Sequence, residues 1–196
     1  MQAAAASIGR QMSVAEAEEC LTAFDRASTH PDVLQARLEM DTSVELNRKF
    51  TLTWGLRAGL DEALLTAIWQ RDGLIEASFP YPDTAGVLRE LRRRGVKIAI
   101  VSDIHFELQP HFAAHGLADY VDAYVLSYRL GCQKPAQRMF VTALDELGLP
   151  AEDALMVGDN AARDNGGVAL GLTTLLLPPA QDFAPRGLDA VLRFFD

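Results

Sequence analysis

Four polar side chains in the second half of the chain are of the types that phosphoryl-transfer sites use. Asp159 and Asp164 lie five residues apart in the stretch ALMVGDNAARDNGG. Such carboxylates can hold a hard divalent cation, because Mg²⁺ takes one or two carboxylates together with water and substrate phosphate. Lys134 and the hydroxyl of Ser102 can neutralise and hydrogen-bond the charge on a transferring group. The set therefore predicts a site that accepts a phosphate and a magnesium ion.

Each of these side chains follows a short apolar run that is typical of a buried strand. The run VKIAIVSDI carries Ser102 and Asp103, and the run ALMVGD ends at Asp159. Lys134 lies in GCQKPAQRMF, in the loop after the run VDAYVLSY. Helical patterns separate the runs, which predicts a parallel sheet covered on both faces. Ligands bind beyond the carboxyl ends of such strands, so we expect Ser102, Asp103 and Lys134 to contact the substrate.

The hydrophobic period divides the chain in two near residue 80. Before it, apolar residues recur at three- and four-residue spacing, which predicts an all-helical segment over residues 1–79. The prolines of FPYPD mark the boundary, because proline ends helices. After it, helices alternate with short apolar runs, ending in the run TTLLLPP. Residues 80–196 are therefore predicted to form an α/β core with a doubly wound, Rossmann-type parallel sheet.

Composition and charge exclude several classes of protein. The chain has 196 residues, of which 49% are hydrophobic and 23% charged, which is typical of a folded protein. Its net charge of −9 comes with no basic face for nucleic acid. No stretch approaches the ~20 apolar residues of a membrane span, and the N-terminus is a poor signal peptide. Cys20 and Cys132 lack metal or redox spacing, so we expect reduced thiols in a cytoplasmic protein.

Three motifs in order resemble those of the haloacid dehalogenase (HAD) superfamily of hydrolases. IAIVSD is similar to the family's second motif, QKPAQRMF to its third and MVGDNAARDNGGVALG to its fourth. The resemblance implies Mg²⁺-dependent hydrolysis of a small phosphomonoester through an aspartyl-phosphate, with Ser102, Lys134, Asp159 and Asp164 in the catalytic site. It also implies that residues 1–79 are a cap that the family inserts between its first and second motifs.

The chain departs from the family at the first motif. Family members begin with a strand that ends in Asp-x-Asp and supplies the nucleophile, and that strand occupies the middle of the sheet. Residues 1–12 contain no aspartate, and Asp25 and Asp41 lie in helical, polar contexts. Asp103 is a poor substitute, because attack requires a carboxylate placed in line with the phosphorus. We expect this chain to be inactive, either as a truncated part of a longer protein or as a degenerate, non-catalytic member.

Other interpretations of single features remain open. His111 and His115 are an i, i+4 pair that could bind Zn²⁺, but no third ligand accompanies them, so packing or surface roles are favoured. Asp159 and Asp164 alone would equally suit a helix N-cap with a solvated acid. Gly166 and Gly167 are too few for a dinucleotide fingerprint and favour close helix–strand packing.

Function is predicted to be that of a phosphatase, with a phosphate-binding or regulatory protein as the alternative. A signalling receiver uses similar residues, but its acidic residues precede the hydroxyl and the lysine, whereas here they follow. Dehalogenase chemistry is possible within the family, yet nothing in the sequence indicates a haloacid. The sequence constrains neither the substrate nor the oligomeric state.

Overall fold

The computed structural model describes residues 1–179 and 183–195. The chain divides into two compact units, Met1–Ala77 and Ser78–Asp196. The sequence predicts this boundary two residues later, after residue 79. No helix among the described residues is long and apolar enough to cross a membrane.

The first unit is built from helices alone. These are α1 (Gln2–Ser7), α2 (Val14–Ala27), α3 (Pro31–Arg37), α4 (Val44–Arg57) and α5 (Glu62–Asp72), followed by a short 3₁₀ helix (Ile75–Ala77). Ser13, Ser43 and Asp61 begin α2, α4 and α5 by accepting a backbone N–H on their side chains. Helices α4 and α5 pack closely at Gly55, where a Cβ would lie 1.9 Å from Leu65 Cδ2.

The second unit alternates helices and strands. Its elements are α6 (Thr84–Arg93), β1 (Ala99–Ser102), α7 (Gln109–Ala114), β2 (Ala123–Leu126), α8 (Ser127–Leu130), α9 (Gln137–Leu147), β3 (Leu155–Gly158), α10 (Ala161–Asp164) and β4 (Thr173–Leu176). Short 3₁₀ helices lie at Ala118–Tyr120, Ala151–Asp153, Asn165–Leu170 and Leu188–Phe194. Helices and parallel strands in this order confirm the predicted α/β class with a helical N-terminal segment.

The strands form two separate parallel pairs. β1 pairs with β2, with Ser102 opposite Leu126, and β3 pairs with β4, with Gly158 opposite Leu176. Within the described residues no ladder joins β1 to β3. The facing edges of β1 and β3 therefore lack the ladder partners that backbone N–H and C=O groups normally find in a sheet.

An apolar cavity of about 590 Å³ lies between these two edges. Its walls include Ile100 of β1 and Met156 of β3, with Phe140 of α9 on one face and Leu91 of α6 on the other. The cavity therefore lies in the plane of the sheet, in the place of one more strand.

The core has two layers, one on each side of this plane. Ala99, Val101 and Met156 pack against the α9 cluster around Phe140. The intervening strand residues pack on the other layer, where Leu155 and Val157 contact the cluster of Val87, Leu91 and Val191. Alternation along β3 follows from the two-residue period of a strand, which turns successive side chains to opposite faces.

Candidate functional site

The predicted site residues lie at the carboxyl ends of β1 and β3. Asp103 directly follows β1, and Asp159 directly follows β3. Lys134 links the two ends: its backbone N–H donates to Asp103 Oδ1 at 2.8 Å, and its Nζ donates to Asp164 Oδ1 at 2.6 Å. Both strands therefore end at the same edge of the unit, the edge at which ligands bind in α/β folds.

Ser102 is the last residue of β1 and is half buried. Among the described residues its hydroxyl has no hydrogen-bond partner. The loop that follows is held by Ser127, whose Oγ accepts from the Ile104 N–H at 2.9 Å and donates to the Ile104 carbonyl at 3.1 Å. Ser102 is thus on a positioned backbone with a hydroxyl available to a ligand.

The Asp103 carboxylate is used inside the protein. Its Oδ1 accepts from the Lys134 N–H, and its Oδ2 forms an ion pair with Arg163 at 2.8 Å. The side chain is only 6% exposed. This carboxylate therefore positions the lysine loop, and its two oxygens are not directed at an incoming phosphorus. Any contact of Asp103 with substrate would have to come from its backbone.

Asp164 is almost fully enclosed, and three donors surround its carboxylate. Oδ1 accepts from Lys134 Nζ, and Oδ2 accepts from the backbone N–H groups of Asp159 at 3.0 Å and Asn160 at 2.9 Å. Burial raises the pKa of Asp164, but the hydrogen bonds from Lys134 and Asn160 outweigh burial and leave the pKa below its ordinary value. Asp164 therefore stays ionised at neutral pH and holds both the lysine and the turn that carries Asp159.

Glycines make this enclosure possible. A Cβ on Gly158 would lie 2.1 Å from Asp164 Oδ2, so a side chain at the end of β3 would displace the carboxylate. A Cβ on Gly166 would lie 2.2 Å from the backbone oxygen of Pro135, next to Lys134. The prediction for Gly166 was close packing between a helix and a strand, whereas Gly166 lies against the Pro135 carbonyl and so brings the lysine loop against the segment after β3.

We expect Gly166→Ala to lower the free energy of unfolding by about 1–3 kcal/mol, because the nearest atom belongs to the backbone and cannot rotate away. Gly86→Ala is the matched control: it lies within α6 with open space around its Cβ, and alanine should stabilise the helix by about 0.4–1 kcal/mol. Pulse proteolysis in urea at low protein concentration compares the midpoints. Equal midpoints for the two variants would contradict the close approach at Gly166.

Asp159 is the exposed carboxylate of the site, at 46% side-chain exposure. Its Oδ2 lies 3.1 Å from the NH2 nitrogen of Arg186, and its other oxygen is not used by that arginine. Asn160, the next residue, caps α10 by accepting the N–H of Ala162. The Asp159 carboxylate is therefore beside the helix cap and not part of it, so the simple N-cap interpretation does not describe it.

Among the described residues, charged groups at this edge form three ion pairs. They are Lys134 with Asp164, Arg163 with Asp103, and Arg186 with Asp159. Three cations and three carboxylates cancel, so these side chains supply no surplus positive charge. A phosphate dianion bound here would need an additional cation to balance it.

Sequence reasoning missed Arg163 and Arg186. Arg163 lies inside the fourth motif, one residue before Asp164, so its proximity to the site was visible in the sequence. Arg186 follows β4 and is 27 residues from its partner Asp159. No spacing or motif signals that contact, because it depends on the path of the chain after β4.

The histidines are placed by packing. His105 and His111 are buried on either side of Phe106, with ring centroids 5.2 and 4.9 Å from it. His115 is exposed, and its ring nitrogen Nε2 contacts the carbonyl of Ser78 at 2.8 Å. No cluster of three or more His, Cys, Asp or Glu side chains suited to a metal occurs in the described part of the chain.

Magnesium fits the site in donor type. Asp159 offers an exposed carboxylate oxygen, which is the hard ligand that Mg²⁺ takes, and one or two carboxylates suffice when water and phosphate complete the shell. Asp164, with both oxygens already accepting hydrogen bonds, supports this position through its charge and through its hold on the Asp159 backbone.

Comparison with known proteins shows which proteins the chain is similar to. A family model described as "Hydrolase: haloacid dehalogenase-like hydrolase" matches residues 3–169. The chain is 37% identical over 128 residues to Ribulose-1,5-bisphosphate 5-phosphatase of Halopiger xanaduensis, covering 64% of this chain and 53% of that protein. It is 31% identical over 150 residues to Pyrimidine 5'-nucleotidase YjjG of Escherichia coli, covering 75% of this chain and 66% of that protein.

The solved structure of a HAD phosphatase from Thermococcus onnurineus superposes on this chain with a TM-score of 0.62 and 21% identity. The match covers 98% of this chain and 84% of that chain. At that identity the likeness shows a shared fold. The chain spans about half the length of the first curated relative, at 53%.

Proposed function

Because the chain belongs to the haloacid dehalogenase-like hydrolase family, we propose that it carries the phosphate- and magnesium-binding half of a phosphatase site for a small phosphomonoester. The observation that carries this proposal is the position of Lys134. Its backbone is held by Asp103 and its ammonium by Asp164, at the shared carboxyl edge of β1 and β3. A fixed lysine between two strand ends suits the binding of a phosphoryl group.

Each residue of the edge has a role in this proposal. The Ser102 hydroxyl donates to a phosphate oxygen, and Lys134 neutralises part of the charge on the transferring group. Asp164 pairs with the lysine ammonium, and the Lys134 side chain is 13% exposed, so its orientation is fixed. Asp159 is the carboxylate that would hold Mg²⁺, and the ion when bound would neutralise charge on the phosphate.

The nucleophile of the proposed reaction is not among these residues. The family's attacking group is an aspartate at the end of a strand in the middle of the sheet, and the cavity between β1 and β3 lies in that place. An apolar strand there would end at the same edge as Asp103 and Asp159. We therefore propose that an inserted strand supplies the attacking carboxylate, while residues 1–79 act as the cap.

Two of the relatives support phosphatase chemistry. Their names, a ribulose bisphosphate 5-phosphatase and a pyrimidine 5'-nucleotidase, describe enzymes of small phosphorylated molecules. The charges of the site agree with a magnesium-dependent phosphatase. The three ion pairs are neutral by themselves, so an additional cation is needed only when a phosphate is bound. The alternative is a non-catalytic protein that binds a phosphate ligand at Ser102 and Lys134.

The test uses the chain extended upstream by an apolar strand that ends in Asp-x-Asp. Asp159→Asn should lower Mg²⁺ affinity and reduce kcat by about 10²–10³, since the site loses a charged ligand. Lys134→Ala should weaken inhibition by orthovanadate by about tenfold or more, because one charge-assisted hydrogen bond contributes about 1.5–3 kcal/mol.

Two control variants separate the site from general charge effects. Asp153→Asn makes the same change at the opposite end of β3, and Lys49→Ala removes an exposed lysine of α4. Both should match the parent. Unchanged magnesium dependence in Asp159→Asn would remove Asp159 from the site, and unchanged vanadate affinity in Lys134→Ala would count against a phosphate role for the lysine.

A further inference from the structure

We propose that Arg186 is a built-in counter-cation for Asp159 and that a divalent cation must displace it to bind. Arg186 is then a positioning residue that sets the metal affinity of the site. This inference rests on the proposed function, because it takes Asp159 as the carboxylate that holds the metal. No motif and no residue of the resemblance assigns a role to Arg186.

Three contacts hold the Arg186 guanidinium in place. Its NH2 nitrogen pairs with Asp159 Oδ2 at 3.1 Å and donates to the carbonyl of Pro178 at 2.6 Å. Its carbon Cζ lies 4.9 Å from the centre of the Tyr81 ring, within the range of a cation–π contact. The side chain is 12% exposed, although its partner Asp159 is 46% exposed. A well-anchored cation thus lies against a solvent-exposed anion.

The anchors matter because they are independent of Asp159. If a metal ion takes the carboxylate, the guanidinium keeps the Pro178 carbonyl and the Tyr81 ring, and it stays next to the metal position. A guanidinium carries its charge at any pH at which proteins fold, so Arg186 keeps its positive charge beside Asp159. Like charge at close range opposes metal binding.

The same charge favours a phosphate. With the metal absent, Arg186 and Asp159 cancel each other. With the metal on Asp159, Arg186 would lose the one carboxylate with which it pairs among the described residues, and a phosphate oxygen could take the place of that carboxylate. The arrangement therefore makes cation binding weak in the empty site and stronger when an anion is also present. This is a coupling between two ligands through one shared carboxylate.

A purely structural role for Arg186 makes a different prediction. Arg186 could simply tie the segment after β4 to the unit, together with the nearby bond from the Leu188 N–H to Asp83 Oδ2 at 3.0 Å. Loss of a tie of that kind would disorder Asp159 and weaken metal binding. Competition predicts the opposite sign, so the direction of the change in affinity separates the two roles.

The experiment measures Mn²⁺ binding by water-proton relaxation, which needs no catalytic activity, on the chain extended upstream by an apolar strand that ends in Asn-x-Asn, so that the sheet is filled and the extension adds no carboxylate. Arg186→Gln should bind Mn²⁺ about two- to fivefold more tightly than the parent, a change of the size expected for a partly exposed ion pair. Arg186→Lys, which keeps the charge, should stay within about twofold of the parent. Added orthophosphate should tighten Mn²⁺ binding more in the parent than in Arg186→Gln.

The matched control is Arg93→Gln. Arg93 pairs with Glu90 in the last turn of α6, which precedes β1 and lies at the opposite edge of the sheet, and it is 71% exposed. The Arg93→Gln substitution removes the same charge as Arg186→Gln and should leave Mn²⁺ affinity unchanged. If Mn²⁺ binding depends on Asp159 but the affinity of Arg186→Gln is equal to or weaker than that of the parent, only this inference is overturned. If the chain binds no Mn²⁺, or binds it in a way that Asp159→Asn does not abolish, this inference and the metal assignment of the proposed function are both overturned.

Discussion

Extended upstream by four or five apolar residues followed by Asp-x-Asp, the chain is expected to hydrolyse p-nitrophenyl phosphate with Mg²⁺, whereas residues 1–196 stay at the rate of a buffer control. The reason is geometric. Attack on phosphorus requires a carboxylate close to it and in line with the leaving group, and correct placement contributes many orders of magnitude to such reactions. The described carboxylates of the edge are committed elsewhere, Asp103 to Lys134 and Arg163, and Asp164 to Lys134 and two backbone N–H groups.

The added strand should match its neighbours. β1 and β3 each have four residues, so a strand of four or five residues fills the space between them. A strand and a short connection to the helical segment place it within roughly 10–25 residues upstream of Met1. The measurement is initial velocity against Mg²⁺ concentration for the chain with and without the extension.

The matched control for activity carries Asn in place of the first aspartate of Asp-x-Asp. It should fold like the extended chain and show no turnover. If the extension folds into the chain and restores no turnover, the phosphatase proposal fails and a binding role is favoured. Magnesium-dependent turnover by residues 1–196 alone, abolished by Asp103→Asn, would show that Asp103 is the nucleophile after all.

The same extension is expected to stabilise the second unit strongly. The cavity of about 590 Å³ between β1 and β3 is lined by apolar side chains. A strand packed into this space would bury partly buried apolar side chains of both neighbouring strands, among them Ile100 and Met156, and burial of one large apolar side chain contributes about 1.5–3 kcal/mol. The facing strand edges add backbone groups without a ladder partner.

We therefore expect residues 1–196 alone to be partly unfolded or to associate through these edges, because unpaired strands invite pairing with another chain. Light scattering and differential scanning calorimetry on the two chains measure this. The extended chain should be monodisperse with a cooperative transition, and its Tm should be higher by ten degrees or more, since about 1 kcal/mol shifts the Tm of a domain of this size by roughly 2–8 °C.

A control extension of equal length, rich in Gly and Ser, should give no such gain, because it cannot pack against Phe140 or Leu91. A monodisperse monomer of residues 1–196 with one sharp, reversible transition would show that the sheet closes without another strand. That outcome would favour a protein that evolved without catalysis.

Local pattern in the sequence determined the elements and their order. The runs that contain β1, β2, β3 and β4, and the helical patterns between them, were visible because side-chain periodicity is a property of neighbouring residues. Their alternation also predicted that Ser102, Lys134 and Asp159 share one edge, since successive parallel strands end on the same side. The lysine does bridge the ends of β1 and β3.

Only the tertiary structure decided what each carboxylate does. Asp103, Asp159 and Asp164 are alike in the sequence, yet the first is buried against an arginine, the second is exposed, and the third is enclosed by a lysine and two N–H groups. Burial and the charged partner set these roles, and the charged partners Lys134, Arg163 and Arg186 lie 27 to 60 residues away from their carboxylates along the chain. The contact of Arg186 with Asp159 joins residues 27 positions apart, with the Tyr81 ring 4.9 Å from the guanidinium carbon. The size of the cavity between β1 and β3 was likewise beyond the sequence, because it depends on how the two strand pairs and the helices α6 and α9 pack around it.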